Sequence, residues 1–159
     1  MILDLLTRLV EKSLVVYEER AGEGRYRLLE MIREYARERL AASDETDALR
    51  EQHAHFFLSL AETAETELCR ADQLLWLDRL EQELDNLRAA LTWSVESGEV
   101  ELGLRLGSAL ERFWQTRGHV KEGCTHLMRL LAEPGAAAPG PTVPVGAPVR
   151  ARALSTSVR

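Results

Sequence analysis

The histidines and cysteines are the residues in this chain most suited to binding a metal ion, but their spacing argues against it. His53 and His55 lie two residues apart in a predicted helix, so their side chains point about 200° apart. Cys124 and His126 have the same spacing, and Cys69 is interpreted as a small hydrophobic residue near a helix end. The sequence has no CxxC pair and no HExxH helix. We therefore predict no metal site and no cofactor.

Acidic side chains are numerous, but their pattern does not favour catalysis. They cluster in short runs at 18–19, 81–83 and 99–101. Catalytic carboxylates need environments that separate their pKa values, whereas such runs are typical of solvated faces. No serine or cysteine lies in a setting that indicates an activated nucleophile. We predict no catalytic residue and no enzymatic activity. Asn86, on a long predicted helix, is expected to hydrogen-bond a neighbouring loop and fix the packing register.

The basic side chains of residues 1–40 are the ones that could bind nucleic acid. This segment holds eight basic residues and eight acidic residues: Arg8, Lys12, Arg20, Arg25, Arg27, Arg33, Arg37 and Arg39, against Asp4, Glu11, Glu18, Glu19, Glu23, Glu30, Glu34 and Glu38. Such a balance weakens the counterion release that drives most DNA affinity. Arg20, Arg25 and Arg27 could still contact phosphate, although pairing with nearby glutamates explains their spacing better. Direct DNA binding is therefore disfavoured on charge.

The elements expected in residues 1–42 are a helix, a two-stranded hairpin and a second helix. The first helix covers about 2–12, and turn-forming residues at 21–24 separate two strands. The second helix runs from about 30 to 42. Five of its side chains are expected to be buried at helical spacing: Met31, Ile32, Tyr35, Ala36 and Leu40. This order is typical of the C-terminal half of a winged-helix domain.

Residues 48–132 are predicted to be a stack of helices. Apolar periodicity indicates helices at about 48–68, 72–97, 100–117 and 120–132, with single glycines at 98 and 118 between the last three. Helices joined so tightly fold back as antiparallel hairpins, and one degenerate match to a tetratricopeptide-like (TPR-like) repeat lies around Trp114. All five prolines fall in 133–159, a Pro/Gly/Ala-rich tail predicted to be disordered. The predicted fold is mainly α with one β-hairpin.

Composition limits the setting of the protein. The chain has 159 residues, of which 45% are hydrophobic and 29% charged, with a net charge of −6. No apolar run is long enough to cross a bilayer, and the N-terminus lacks the features of a signal peptide. Two cysteines are too few for a disulfide framework and are typical of a reducing compartment. We predict a cytoplasmic protein without a membrane partner.

Five sequence blocks occur together in an order typical of one class of regulator. They are LLTRLVEKSLVV, RYRLLEMIREYARERL, HAHFFLSLAE, LDRLEQELDNLRAALTWSVESGE and FWQTRGHVKEG. The chain resembles, over about residues 3–132, the junction between winged helix and helical repeats in actinobacterial STAND-class ATPase regulators of the maltose-activator and antibiotic-regulator type. The resemblance implies an upstream ATP-binding module, on which the winged helix packs. This chain has no GxxxxGK[ST] loop, so no nucleotide-binding residue can be assigned.

The functional expectation follows from this resemblance and from the charge balance. The first hypothesis is a non-catalytic coupling and protein-interaction segment of a signal-responsive ATPase-type transcriptional regulator. Its partner would be a protein or a missing upstream nucleotide-binding module, and DNA would be an unlikely partner of this segment. The alternative hypothesis is a stand-alone winged-helix DNA-binding transcription regulator.

Overall fold

The computed structural model describes residues 2–20 and 23–132, which form two compact units. The first unit extends to Asp47 and the second begins at Ala48. The predicted mainly α fold with one β-hairpin is confirmed. The predicted disordered tail, 133–159, lies outside the described residues.

Eight helices and two strands are present in the described residues. In chain order they are α1 (Ile2–Glu11), β1 (Val15–Arg20), β2 (Glu23–Leu28), α2 (Glu30–Ala41), α3 (Thr46–Glu67), α4 (Gln73–Gln82), α5 (Leu84–Glu96), α6 (Val100–Ala109), α7 (Glu111–Arg117) and α8 (Val120–Ala132). None of these helices is long and apolar enough to cross a membrane.

The chain passes from α1 into the hairpin through a tight helix end at Ser13. Ser13 has a φ of 56°, a left-handed conformation that is uncommon for a residue other than glycine. Its amide donates to the carbonyl of Val10, and the amide of Leu14 donates to the carbonyl of Leu9. These two bonds form a Schellman motif, which satisfies carbonyls left open at the end of a helix. The motif sends the chain directly into β1.

The hairpin has one aromatic face and one charged face. β1 and β2 are antiparallel, and Tyr17 lies opposite Tyr26 with ring centroids 5.1 Å apart. Because side chains alternate along a strand, the neighbouring pair, Glu18 opposite Arg25, projects to the other face. A Cβ at Gly24 would lie 2.7 Å from Cε2 of Tyr17, so this glycine leaves room for the ring.

The predicted burial along α2 is wrong for the described residues. No residue of α2 is buried, and Met31 and Tyr35 have relative exposures of 82% and 58%. Ile32 and Leu40 are half-buried, while Ala36 is exposed. Helical spacing correctly places apolar residues on one side of a helix, but it does not determine whether another element covers that side.

The core of the second unit lies among α3–α8 and contains most of the apolar residues that periodicity selected. The buried side chains include Leu77, Leu80, Leu87, Leu91, Leu102, Leu106, Phe113, Trp114, Leu127 and Leu130. Gly98 and Gly118 have φ angles of 74° and 85° and separate consecutive helices, as predicted. Of the adjacent residues Phe56 and Phe57 on α3, Phe57 is buried and Phe56 is 65% exposed.

Two helices predicted as continuous are each interrupted by one residue. The predicted helix at 72–97 divides at Glu83, and the helix at 100–117 divides at Leu110. Both residues have φ near −90° and ψ near 0°. The carbonyls of Glu83 and Leu110 nevertheless accept bonds of 2.9 Å from Leu87 and Trp114. Because the hydrogen bonding continues and neither position is glycine or proline, the sequence gives no signal of the interruption.

Glycines allow α6 and α7 to approach α8 closely. A Cβ at Gly107 of α6 would lie within 3.4 Å of Cγ of Leu127, and one at Gly103 would lie 2.8 Å from Cδ1 of Leu130. A Cβ at Gly123 of α8 would lie 2.5 Å from Cδ2 of Trp114. Each glycine therefore provides the space into which a large side chain of another helix packs.

Candidate nucleic-acid interface

The C-terminal end of α1 presents two cations to solvent. Arg8 and Lys12 are exposed and lie four residues apart, which places them on the same side of the helical end. Neither side chain forms an ion pair with another described residue. Their charges stabilise the negative end of the helix dipole and stay accessible to an anion.

Among the side chains that the structure describes, the charged face of the hairpin carries two arginines and one glutamate. Nη2 of Arg27 lies 3.2 Å from Oε1 of Glu18, and the Arg27 side chain is 70% exposed. Arg25 is the cross-strand partner of Glu18. Ion pairs between such exposed groups contribute little free energy, so another anion can replace the carboxylate of Glu18.

Further basic residues lie along α2. Arg33 pairs with Glu30 one turn earlier in the helix. Nε of Arg39 donates to the hydroxyl of Tyr35 at 3.1 Å, and its guanidinium lies over the Tyr35 ring. Arg37 is exposed and has no ion pair within the described residues. The first unit thus offers several accessible cations, although its total charge is balanced.

The ionic groups of the second unit mainly join one helix to another. The guanidinium of Arg88 on α5 donates to both carboxylate oxygens of Glu122 on α8, with one bond of 2.8 Å. These hydrogen bonds hold the pKa of Glu122 below its usual range, and they raise the pKa of Arg88. His119 lies between α7 and α8, and its Nε2 is 3.2 Å from Oε1 of Glu81 on α4. These contacts stabilise the packing of the helices against one another.

The histidines and cysteines considered for metal binding are placed in separate surroundings. The ring of His53 packs on Phe57 at 4.6 Å, whereas His55 is exposed. His126 is half-buried, and desolvation lowers its pKa. Sγ of Cys69 lies 3.4 Å from Nη1 of Arg112. In the ranges 2–20 and 23–132, no group of three or more His, Cys, Asp or Glu side chains could hold a metal ion.

Asn86 was expected to form a hydrogen bond with a neighbouring loop. In the structure it forms a hydrogen bond with the residue that separates α4 from α5. Its Nδ2 donates to Oε2 of Glu83 at 2.7 Å, and Glu83 is the residue at which α4 and α5 divide. The bond therefore supports the single-residue interruption between the two helices.

Phe113 and Trp114 are buried, while Trp76 and Trp93 pack partly against the core.

Comparison with known protein families finds one match, which lies within the first unit. Residues 1–41 match a winged helix-turn-helix domain. This match covers α1, the hairpin and α2, the elements that carry the accessible cations described above. It confirms the winged-helix part of the interpretation.

The relatives extend the similarity into the second unit. Over 132 residues, or 83% of its length, this chain is 42% identical to a protein of Mycobacterium bovis named "Putative HTH-type transcriptional regulator". It is equally similar to proteins of the same description from Mycobacterium tuberculosis strains CDC 1551 and H37Rv. The chain spans only 15% of the length of these relatives. No solved structure matches the chain significantly.

These findings correct the functional prediction. The hypothesis of a coupling segment that does not bind DNA is wrong, because the domain match and the relatives favour the DNA-binding alternative. The sequence prediction compared the numbers of basic and acidic residues in 1–40, without regard to which of them form ion pairs. In the structure Glu18 and Glu30 lie against arginines, whereas Arg8 and Lys12 have no carboxylate partner among the described residues. The STAND ATPase class and the TPR-like repeat stay predictions.

Proposed function

We propose that this chain is part of a DNA-binding transcription regulator and that its winged-helix unit contacts the DNA. The match of residues 1–41 to a winged helix-turn-helix domain carries the proposal. In helix-turn-helix proteins a recognition helix lies in the major groove. α1 directly precedes the hairpin and has no buried residue, so it is the helix assigned to the groove.

The electrostatics of the unit support this assignment. Arg8 and Lys12 lie at the end of α1 nearest the hairpin, and Arg25 and Arg27 lie on the hairpin itself. DNA affinity derives largely from cations that neutralise phosphates, and these four side chains provide such cations on consecutive elements. A cytoplasmic location is part of the proposal, since the DNA of a bacterium lies there.

Removing the two cations of α1 is expected to weaken DNA binding. We expect the double variant Arg8→Gln/Lys12→Gln to bind a fluorescein-labelled duplex of mixed sequence about 10- to 30-fold more weakly at roughly 50 mM salt, because two phosphate contacts are lost. The slope of log affinity against log salt should become shallower by about 2. Fluorescence anisotropy titration of the full chain measures both quantities.

A control variant with the same change in net charge distinguishes the loss of direct phosphate contacts from a general effect of the protein's charge on DNA affinity. Arg50→Gln/Lys121→Gln removes two exposed cations from the second unit and should change the affinity by less than about threefold, because neither side chain belongs to the unit proposed to contact the DNA. Far-UV circular dichroism should show unchanged helix content in both double variants. Equal losses in the two would show that α1 has no special role in binding DNA.

A further inference from the structure

Glu18 occupies a central position on the charged face of the hairpin. It lies in the middle of β1, directly opposite Arg25 on β2. Arg27, two residues further along β2, reaches back to it with Nη2 3.2 Å from Oε1. The Glu18 side chain is 34% exposed and that of Arg27 is 70% exposed. One carboxylate is therefore placed between the two arginines that the hairpin would offer to a phosphate.

A carboxylate and a phosphate bind guanidinium groups through the same N–H donors. Each group presents two anionic oxygens that accept charge-assisted hydrogen bonds from arginine. An arginine that donates to Glu18 must exchange this partner, in whole or in part, before it binds DNA. Because the Arg27–Glu18 pair is solvent-exposed, the exchange is feasible, but it reduces the gain from the phosphate contact.

We propose that Glu18 is a built-in competitor of the DNA phosphate, which lowers the affinity of the hairpin for DNA. This inference rests on the proposed function, since it assumes that the hairpin contacts DNA. Like-charge repulsion between Glu18 and the phosphate acts in the same direction as the competition. Glu18 thus lowers the affinity for DNA of any sequence, because non-specific binding derives from phosphate contacts.

The substitution Glu18→Gln tests the proposal, and Glu19→Gln is its matched control. Both remove one negative charge from the same strand, but Glu19 lies on the opposite face of the hairpin, across from Gly24. At roughly 50 mM salt we expect Glu18→Gln to bind the mixed-sequence duplex about fivefold more tightly than the wild type, with a salt slope steeper by up to about 1. Glu19→Gln should change the affinity by less than about twofold, through distant charge alone.

A second substitution identifies the arginine on which Glu18 acts. In the background of Arg27→Gln, the gain from Glu18→Gln should be smaller than in the wild type, because one of the two arginines beside Glu18 is already absent. Equal affinities of Glu18→Gln and Glu19→Gln would overturn the competitor role while leaving DNA binding intact. If neither the wild type nor Glu18→Gln binds DNA, the proposed function and this inference both fail.

Discussion

Replacing Phe113 by alanine is expected to lower the free energy of unfolding of the second unit by about 3 to 5 kcal/mol, the range for truncating a buried phenylalanine. Phe113 is fully buried in α7 and packs on the ring of His119, with centroids 5.6 Å apart. Its removal leaves a cavity among closely packed helices. All three tryptophans lie in this unit, at positions 76, 93 and 114, so urea unfolding followed by tryptophan fluorescence measures its stability.

Phe56→Ala makes the same chemical change at an exposed position. Phe56 on α3 is 65% exposed and touches Phe57 by an edge contact with centroids 5.1 Å apart. We expect this variant to lose less than about 1 kcal/mol, because little apolar surface returns to water. A similar loss in both variants would contradict the position assigned to α7 in the core.

Adding one methyl group at Gly123 is expected to destabilise the same unit by about 1 to 3 kcal/mol, the usual range for overpacking a core. The new Cβ of Gly123→Ala would lie 2.5 Å from Cδ2 of Trp114, a ring that is only 2% exposed. The ring is large and rigid, so α7 and α8 must move apart to admit the methyl group. The higher helix propensity of alanine offsets up to about 1 kcal/mol of this loss.

A double-mutant cycle tests whether the Trp114 ring is the cause. Trp114→Phe removes part of the indole, so the methyl group should be tolerated better in that background than in the wild type. We expect a coupling of about 1 kcal/mol between the two positions. Fluorescence of Trp76 and Trp93 still reports the unfolding. If the two effects simply add, the contact between Gly123 and Trp114 does not limit the packing of α8.

The sequence predicted the elements of the fold well where local chemistry determines them. Gly98 and Gly118 mark helix ends because a positive φ favours glycine. The two strands were predicted on either side of the turn-forming residues at 21–24. The interruptions at Glu83 and Leu110 were missed, since each depends on a change of ψ that no residue type signals.

Features that depend on other elements were less predictable. The apolar side of α2 was recognised, but the exposure of Met31 could not be, because periodicity contains no information about neighbouring elements. The sequence alone does not indicate that the Trp114 ring packs against Gly123. For the candidate interface, equal numbers of acids and bases hid the difference between Glu18, which lies beside an arginine, and Arg8, which has no such partner among the described residues.

The most direct test of DNA binding by the winged-helix unit is an anisotropy titration of the wild-type chain with a labelled duplex over a series of salt concentrations. Four basic side chains, Arg8, Lys12, Arg25 and Arg27, predict saturable binding at low salt and a log–log slope of about −3 to −4. No saturable binding at roughly 50 mM salt, or binding that does not weaken as salt rises, would contradict the proposed function.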